Sequence, residues 1–506
     1  MMNKPLIRRI YTVAVLALLG MGFGAFPAVA AQKNVTAAEE GMDVLTYGPI
    51  HEAFAETVEF DPEPGIIVLK SPPDAIHEIP PDQKPEGDVQ WIPGYWAWDD
   101  DRTDFIWVSG IWRAIPPDRQ WVPGYWFKSR KGFQWVSGYW ARDVATDTEY
   151  LPEPPESVEV GPNSDAPSSD YAWIPGCWVR SYGRYAWRPG YWAVMQPDWI
   201  WVPAHYVWTP RGYIFVGGYW DLAVNHRGVL FAPVFFSFGI MPPGFYFTPS
   251  YMIDLGVFSD FLFLRPRYHH YYFGDYYAPK YYRKGIYPWF SPHAKRHSYD
   301  PIYAHQRWQH RHDRTWENRL QTTYQKRRKH VEARPTRRLY DAEKSGLKVN
   351  SPKAGARKLA SPFPTVKKSG KSPSKFQPLS KKERTKIYRQ GKDVRNYIDK
   401  RQKWETQKPV KSPVKSSKKS SKRPEPNKVR FPKSPIAAKP NDGVNRKKTP
   451  PNRYKAPKLN PTVEPLQKRS YDYRGKNNVK RPVDTGQSRT SDGKLPGSRR
   501  HSPYKN

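Results

Sequence analysis

The chain writes one six-residue aromatic phrase eight times. The copies are WIPGYW from Trp91, WVSGIW from Trp107, WVPGYW from Trp121, WVSGYW from Trp135, WIPGCW from Trp173, WRPGYW from Trp187, WVPAHY from Trp201 and FVGGYW from Phe215. Their starts fall about 14 residues apart within each of two sets of four. A short fixed period makes each copy one strand-sized unit that cannot bury its own aromatics and must stack on its neighbours.

Turn formers separate the copies, among them Asp99 to Asp104, Pro116-Pro117-Asp118, Ser181-Tyr182-Gly183 and Thr209-Pro210-Arg211-Gly212. One turn per period implies one strand per copy, and strands rich in Trp, Tyr, Phe and Val running antiparallel. The expected fold is all-β: an antiparallel meander of about eight Trp-rich strands in two sets of four, with a long disordered basic tail. Trp91, Trp96, Trp107, Trp112, Trp121, Trp126, Trp135, Trp140, Trp173, Trp178, Trp187, Trp192, Trp201 and Trp220 read as its core, because they recur at the same place in every strand. The Pro-Gly pair inside the phrase suits a bulge. One bulged residue at Pro93-Gly94 or Pro123-Gly124 would turn Trp91 and Trp96 to the same face, into one aromatic layer. Trp98, Trp199 and Trp208 stand outside the regular positions and are the candidates for exposed platforms.

Residues 1–30 open with Lys4, Arg8 and Arg9, run apolar from Ile10 to Phe26, and close on Ala28-Val29-Ala30, a small-residue cleavage pattern. This is the form of an export signal cut after Ala30. No later stretch is long and apolar enough for a membrane-spanning helix. The destination is then periplasm, outer membrane or cell surface. Cys177 is the single cysteine, so no intrachain disulfide staples the fold; in the place that Tyr holds in most copies, it reads as an apolar filler.

Charge is segregated. Residues 341–506 hold 47 Lys and Arg against 12 Asp and Glu, almost the whole net charge of +36, whereas 31–100 hold 15 acids and 3 bases. An acidic arm and a basic arm on one chain should attract each other. The organisation expected is a signal at 1–30, an acidic Pro-rich lead-in at 31–90 acting as linker or wrap, repeats at 91–140 and 171–220 around a Pro/Glu-rich insert at 141–170, an aromatic and His-rich extension at 221–340, and a disordered Lys/Ser/Pro-rich tail at 341–506. Within the lead-in, 65–70 suits a short strand. A helix suits Trp316 to Arg328. In the tail, Ser380-Lys381-Lys382-Glu383 is a capping box followed by Ile387, Val394, Tyr397 and Trp404 at helical spacing, for a helix that either docks on a partner or stays solvated.

The sequence holds none of the familiar nucleophile-elbow, zinc-protease, phosphate-loop or cysteine-pair signatures, so no catalytic, cofactor-binding or metal-binding residues are assigned and the protein is not read as an enzyme. The acids at Asp99, Asp100, Asp101 and Asp104 read as a solvated turn. His269, His270, His293, His297, His305, His310 and His312 crowd one segment without a closed ligand spacing.

The copies of Trp-x-x-Gly-x-Trp, several preceded by Tyr as in Tyr171-Ala172-Trp173 and Tyr185-Ala186-Trp187, resemble the bacterial YXWGXW repeat family over about 91–220. The resemblance implies an exported bacterial repeat protein and brings no catalytic residues. The copy at Trp201 departs from it at Ala204, His205 and Tyr206, and the last opens on Phe215. The leading reading is a non-enzymatic envelope protein whose tail binds an anionic envelope polymer or surface, with nucleic acid ranked below it. Two alternatives stand beside it: a carbohydrate-binding module using exposed Trp faces, and an outer-membrane β-barrel. Proline at the third position of five copies argues against the barrel, because its missing N–H cannot be replaced by water in lipid.

Overall fold

The computed structural model describes residues 41–143, 147–237, 245–291, 298–339, 359–369, 375–407, 427–430 and 432–439. The export signal, Ala28 and Ala30, two of the clustered histidines (His293 and His297) and residues 440–506 lie outside them.

Antiparallel strands dominate, and the copies associate two by two. Val89–Ile92 and Tyr95–Asp99 form one arm of a hairpin, and Asp104–Val108 and Ile111–Ala114 the other. Three more hairpins repeat this at 119–142, 171–194 and 199–222. Each arm is one copy, interrupted between its two tryptophans. The interruption is symmetric: Ile92 faces Ile111 and Tyr95 faces Val108, so Pro93-Gly94 lies opposite Ser109-Gly110. No extra residue is present on either side, and the break is not the bulge that the sequence suggested. Without it the two tryptophans of a copy do not share a layer: Trp91 and Trp112 pack with Val229 and Phe231, while Trp96 and Trp107 pack with Phe105, Val234 and Phe236.

The register places tryptophan opposite tryptophan. Trp91 faces Trp112, Trp96 faces Trp107, Trp121 faces Trp140 and Trp126 faces Trp135. Trp173 faces Trp192, Trp178 faces Trp187, Trp201 faces Trp220 and Tyr206 faces Phe215. Ring centroids in these pairs lie between 5.1 Å (Trp121–Trp140) and 5.5 Å (Trp173–Trp192), at tilted or edge-on angles that suit the ring quadrupole. Tight tips close the arms; in the third hairpin Tyr182 (φ 48°) and Gly183 (φ 78°) supply the two left-handed residues of a two-residue turn that follows strand twist.

The ladder does not continue from one hairpin to the next. The described strands form separate sheets of two to four strands, unlike the closed ladder that a membrane barrel needs. No described helix is long and apolar enough to cross a membrane. Segments remote in sequence cover the hairpin edges instead. Val234–Phe236 and Gly228–Val229 flank the first hairpin and Ile67–Val68 the second.

The lead-in is a wrap and part of the core. Leu45, Tyr47, Ile50, Ala53 and Phe54 are buried among aromatics of the 258–303 segment. A buried ion triad holds it there. Arg113 of the first hairpin and Arg227 both bind Asp221 of the fourth, at 2.6 and 3.0 Å, and donate to the carbonyls of Ala53 and Phe54.

Parts of the 341–506 stretch are folded too, which moves the start of any free tail beyond the expected residue 341. Phe376–Pro378 pairs with Gln83–Pro85, and 436–438 lie along the free edge of Arg119–Val122 through Trp121 N–H to Ile436 O and Ala438 N–H to Arg119 O. Between them runs the helix Lys381–Thr406, opened by the Ser380–Glu383 capping box. It docks on its own chain: Val394, Tyr397, Arg401 and Glu405 are buried. The helix expected at Trp316 to Arg328 spans Trp316–Lys329.

Candidate functional site: charged clips at the strand breaks

A break in both arms of a hairpin frees peptide groups that must find other partners. Here they find charged side chains. In the first hairpin Glu78 Oε1 accepts from Trp107 Nε1 (3.1 Å) and Gly110 N (2.9 Å), and Oε2 accepts from Gly94 N (2.7 Å). In the second, Glu52 accepts from Trp135 Nε1 (3.0 Å) and Gly138 N (2.9 Å). In the third, Glu159 accepts from Trp173 Nε1 (2.9 Å) and Gly176 N. Each time two of the donors are the first tryptophan of a copy and the glycine three residues on, with Gly94 of the opposite arm adding a third to Glu78. The Trp-x-x-Gly spacing is therefore a two-donor receptor for one carboxylate.

The glycine has a second reason. None of the motif glycines has positive φ; what they require is close approach. A Cβ at Gly138 would lie 2.4 Å from the ring of Trp121, at Gly124 2.5 Å from that of Trp135, and at Gly176 2.5 Å from that of Trp187. The indole of one arm lies over the glycine of the other.

The fourth hairpin departs as its sequence does. Phe215 has no ring N–H to donate and faces Tyr206, and Glu56 is held instead by Tyr219 Oη (2.6 Å) and His205 Nε2 (3.2 Å).

Freed carbonyls meet cations or imidazoles. Arg401 Nη1 donates to Pro123 O (2.7 Å) and Ser137 O (3.2 Å), and Arg119 Nη2 to Gly217 O (2.8 Å) and Gly218 O (3.0 Å). His51 Nε2 donates to Pro93 O at 3.1 Å. Arg401 is itself paired with Glu405 at 3.0 Å, and Glu405 accepts from Tyr125 Oη (2.7 Å) and Tyr150 Oη (3.0 Å).

Burial tunes these groups. Desolvation raises the Glu52 and Glu78 carboxyls to about 7, with the N–H donors partly opposing it. Desolvation also lowers His51 and His270 to about 4, so both are neutral at physiological pH. Neutral His270 accepts from Tyr95 Oη at 3.0 Å, beside Glu52 at 3.4 Å.

Of the tryptophans read as core, Trp126, Trp173 and Trp192 are half-buried and the others buried. Trp199 is also buried, at 8% exposure, which removes it as an exposed platform; Trp98 and Trp208 are half-buried. The acids at 99–104 are pinned rather than solvated: Asp100 binds Arg265, Asp101 binds Lys280 and Arg337, Asp104 binds Lys70, and buried Asp99 accepts from Tyr47. His269, His270, His305, His310 and His312 do not converge, and no three potential metal ligands do so among the described residues. Cys177 is half-buried and accepts from Arg188 at 3.1 Å.

The hairpin is also the unit by which the repeats are recognised. A family model described as WXXGXW repeat (2 copies) matches residues 90–113, 121–141, 169–193 and 197–221, one match to each hairpin. The repeats of this chain are WXXGXW repeats. No curated protein and no solved structure matches the chain. Sequence reading missed the clip residues Glu52, Glu56, Glu78, Glu159, Arg119 and Arg401. A usable signal was present: Glu159 sits between two valines in Val-Glu-Val, and Glu78 lies in Ile-His-Glu-Ile with isoleucine two before and one after it, where a solvated acid is out of place.

Proposed function

We propose that this WXXGXW-repeat protein is a non-enzymatic, exported envelope protein, in which the aromatic hairpins form a rigid body and the basic C-terminal chain binds an anionic envelope polymer or surface. The observation that carries this reading is the charge of residues 341–506, 47 bases against 12 acids. The helix Lys381–Thr406 supports it: its inner face is spent on the second hairpin, while Lys381, Lys382, Lys386, Arg389, Lys392, Lys400 and Lys403 are exposed. A row of cations fixed on a folded body, continued by more cations in sequence, suits a polyanion by counterion release. The Trp-rich repeats then supply stacking strength rather than chemistry.

The test is binding of the mature chain to purified envelope and to an acidic polysaccharide across a salt series. Removing 441–506 and, separately, replacing the seven exposed bases of the helix with glutamine should each weaken binding and flatten its salt dependence. Undiminished binding by the chain carrying both changes would sink the proposal.

A further inference from the structure

The four clips are not equally closed. Glu52 and Glu78 are 4% and 6% exposed and belong to the lead-in wrap, whereas Glu159 is half-buried and comes from the insert. The third hairpin is also the barest, for among the described residues no further strand or bridge joins its arms. Along its indole donors runs a strap, residues 152–164, without secondary structure, half-buried or exposed throughout, with Val160 at 96%.

Nearly every bond between strap and hairpin runs one way. Tyr185 Oη donates to Pro152 O (2.6 Å), Trp178 Nε1 to Glu156 O (2.9 Å), Trp192 Nε1 to Ser164 O (3.1 Å), and Trp173 Nε1 with Gly176 N to the Glu159 carboxylate. Three of these partners are main-chain carbonyls, which any extended peptide presents; the Ser164 hydroxyl adds a longer contact to Trp192 Nε1 (3.3 Å), and the Glu159 carboxylate is the side chain that takes two donors at once. The hairpin asks the strap for no N–H. Proline, which has none and stiffens an extended chain, is therefore at no disadvantage, and the strap reads Pro-Glu-Pro-Pro-Glu-Ser-Val-Glu-Val-Gly-Pro. A line of aromatic donors on a short hairpin facing a proline-rich extended segment is a peptide-recognition geometry.

We infer that the third hairpin is a docking site for an acidic, proline-rich extended segment of another protein chain, and that residues 152–164 are its resident, displaceable occupant. Specificity rests on the carboxylate seated between Trp173 and Gly176, and affinity on indole donors to carbonyls. This goes beyond the tail's polyanion binding and does not depend on it.

The probe is a synthetic peptide of residues 152–164, titrated by tryptophan fluorescence and calorimetry. Its receptors are the full mature chain, the chain carrying Glu159→Gln, and the chain with 153–164 replaced by a Gly/Ser linker of equal length. The strap-replaced and Glu159→Gln chains should bind the peptide at least about tenfold more tightly than the native chain does. A peptide with Gln at the Glu159 position should lose at least about tenfold on the strap-replaced chain. Equal binding by all three chains, or equal binding of the Gln peptide, overturns the inference. If the strap-replaced chain instead loses the third hairpin, and the Glu159→Gln chain takes up no peptide, the strap is a fixed part of the fold and the inference also fails.

Discussion

At the residue scale the six-letter phrase resolves into separate jobs. Tryptophans face one another across the hairpin, glycine makes room for an indole, and the first tryptophan with that glycine holds a carboxylate. The fourth hairpin fits the steric part by its sequence: where one copy opens on the smaller ring of Phe215, the glycine position of the opposite copy carries Ala204. Phe215→Trp alone should cost roughly 1 to 3 kcal/mol by overpacking. Ala204→Gly in the same chain should recover much of that, a coupling readable by urea unfolding of the four members of the cycle. The buried clips make stability depend on pH. Glu78 has a folded pKa raised to about 7. Between the unfolded value near 4.5 and about 7 the folded state holds the extra proton, so this group's contribution falls as pH rises through that window. The stability of wild type relative to Glu78→Gln should thus decline from pH 5 to pH 8, by an amount on the order of 3 kcal/mol, in paired thermal melts. His51 and His270, lowered to about 4, act in the opposite sense and are common to both chains, so they cancel in the difference.

At the element scale, some of the architecture was legible and some was not, for identifiable reasons. Strand identity and antiparallel direction follow from aromatic content and turn spacing, and the tail helix from its capping box and apolar spacing. The symmetric break could not be told from a bulge, because both put Pro-Gly in a strand and differ only in what lies opposite. The clips were hidden for another reason: their carboxylates lie 14 to 83 positions from the tryptophans they bind, and local pattern carries no information on such distances. Arg401 shows how much depends on these remote partners. Arg401→Met strands the Glu405 carboxylate in the core and leaves the carbonyls of Pro123 and Ser137 without their donor. The expected cost is about 3 to 5 kcal/mol. Hydrogen exchange should show it as lost protection in 381–406 and at the second hairpin, with the third hairpin unchanged.

At the scale of the whole molecule, the acidic lead-in and the basic C-terminal region meet, but mostly by way of the repeats between them. The lead-in delivers carboxylates to freed N–H groups and the tail delivers Arg401 to freed carbonyls, so the charge asymmetry of the sequence is in part a division of labour around broken strands. The charge count alone read the region beyond 341 as free chain, because it could not register that a few buried residues, Val394, Tyr397 and Ile436 among them, fasten a long basic stretch. A chain ending at 340 should therefore melt earlier and expose tryptophan, whereas one ending at 440 should keep the native melting temperature. Scanning calorimetry and the fluorescence maximum distinguish the two outcomes.

Because every motif tryptophan or its substitute looks across to a partner in the adjoining copy, copy number in such a chain has parity. Adding or losing one copy strands an arm, with its indoles uncovered and its clip half built. Adding or losing two inserts or removes a finished hairpin. Growth and shrinkage by duplication should then proceed in even steps, and a chain of this kind with an odd count would need some other segment to stand in for the missing arm.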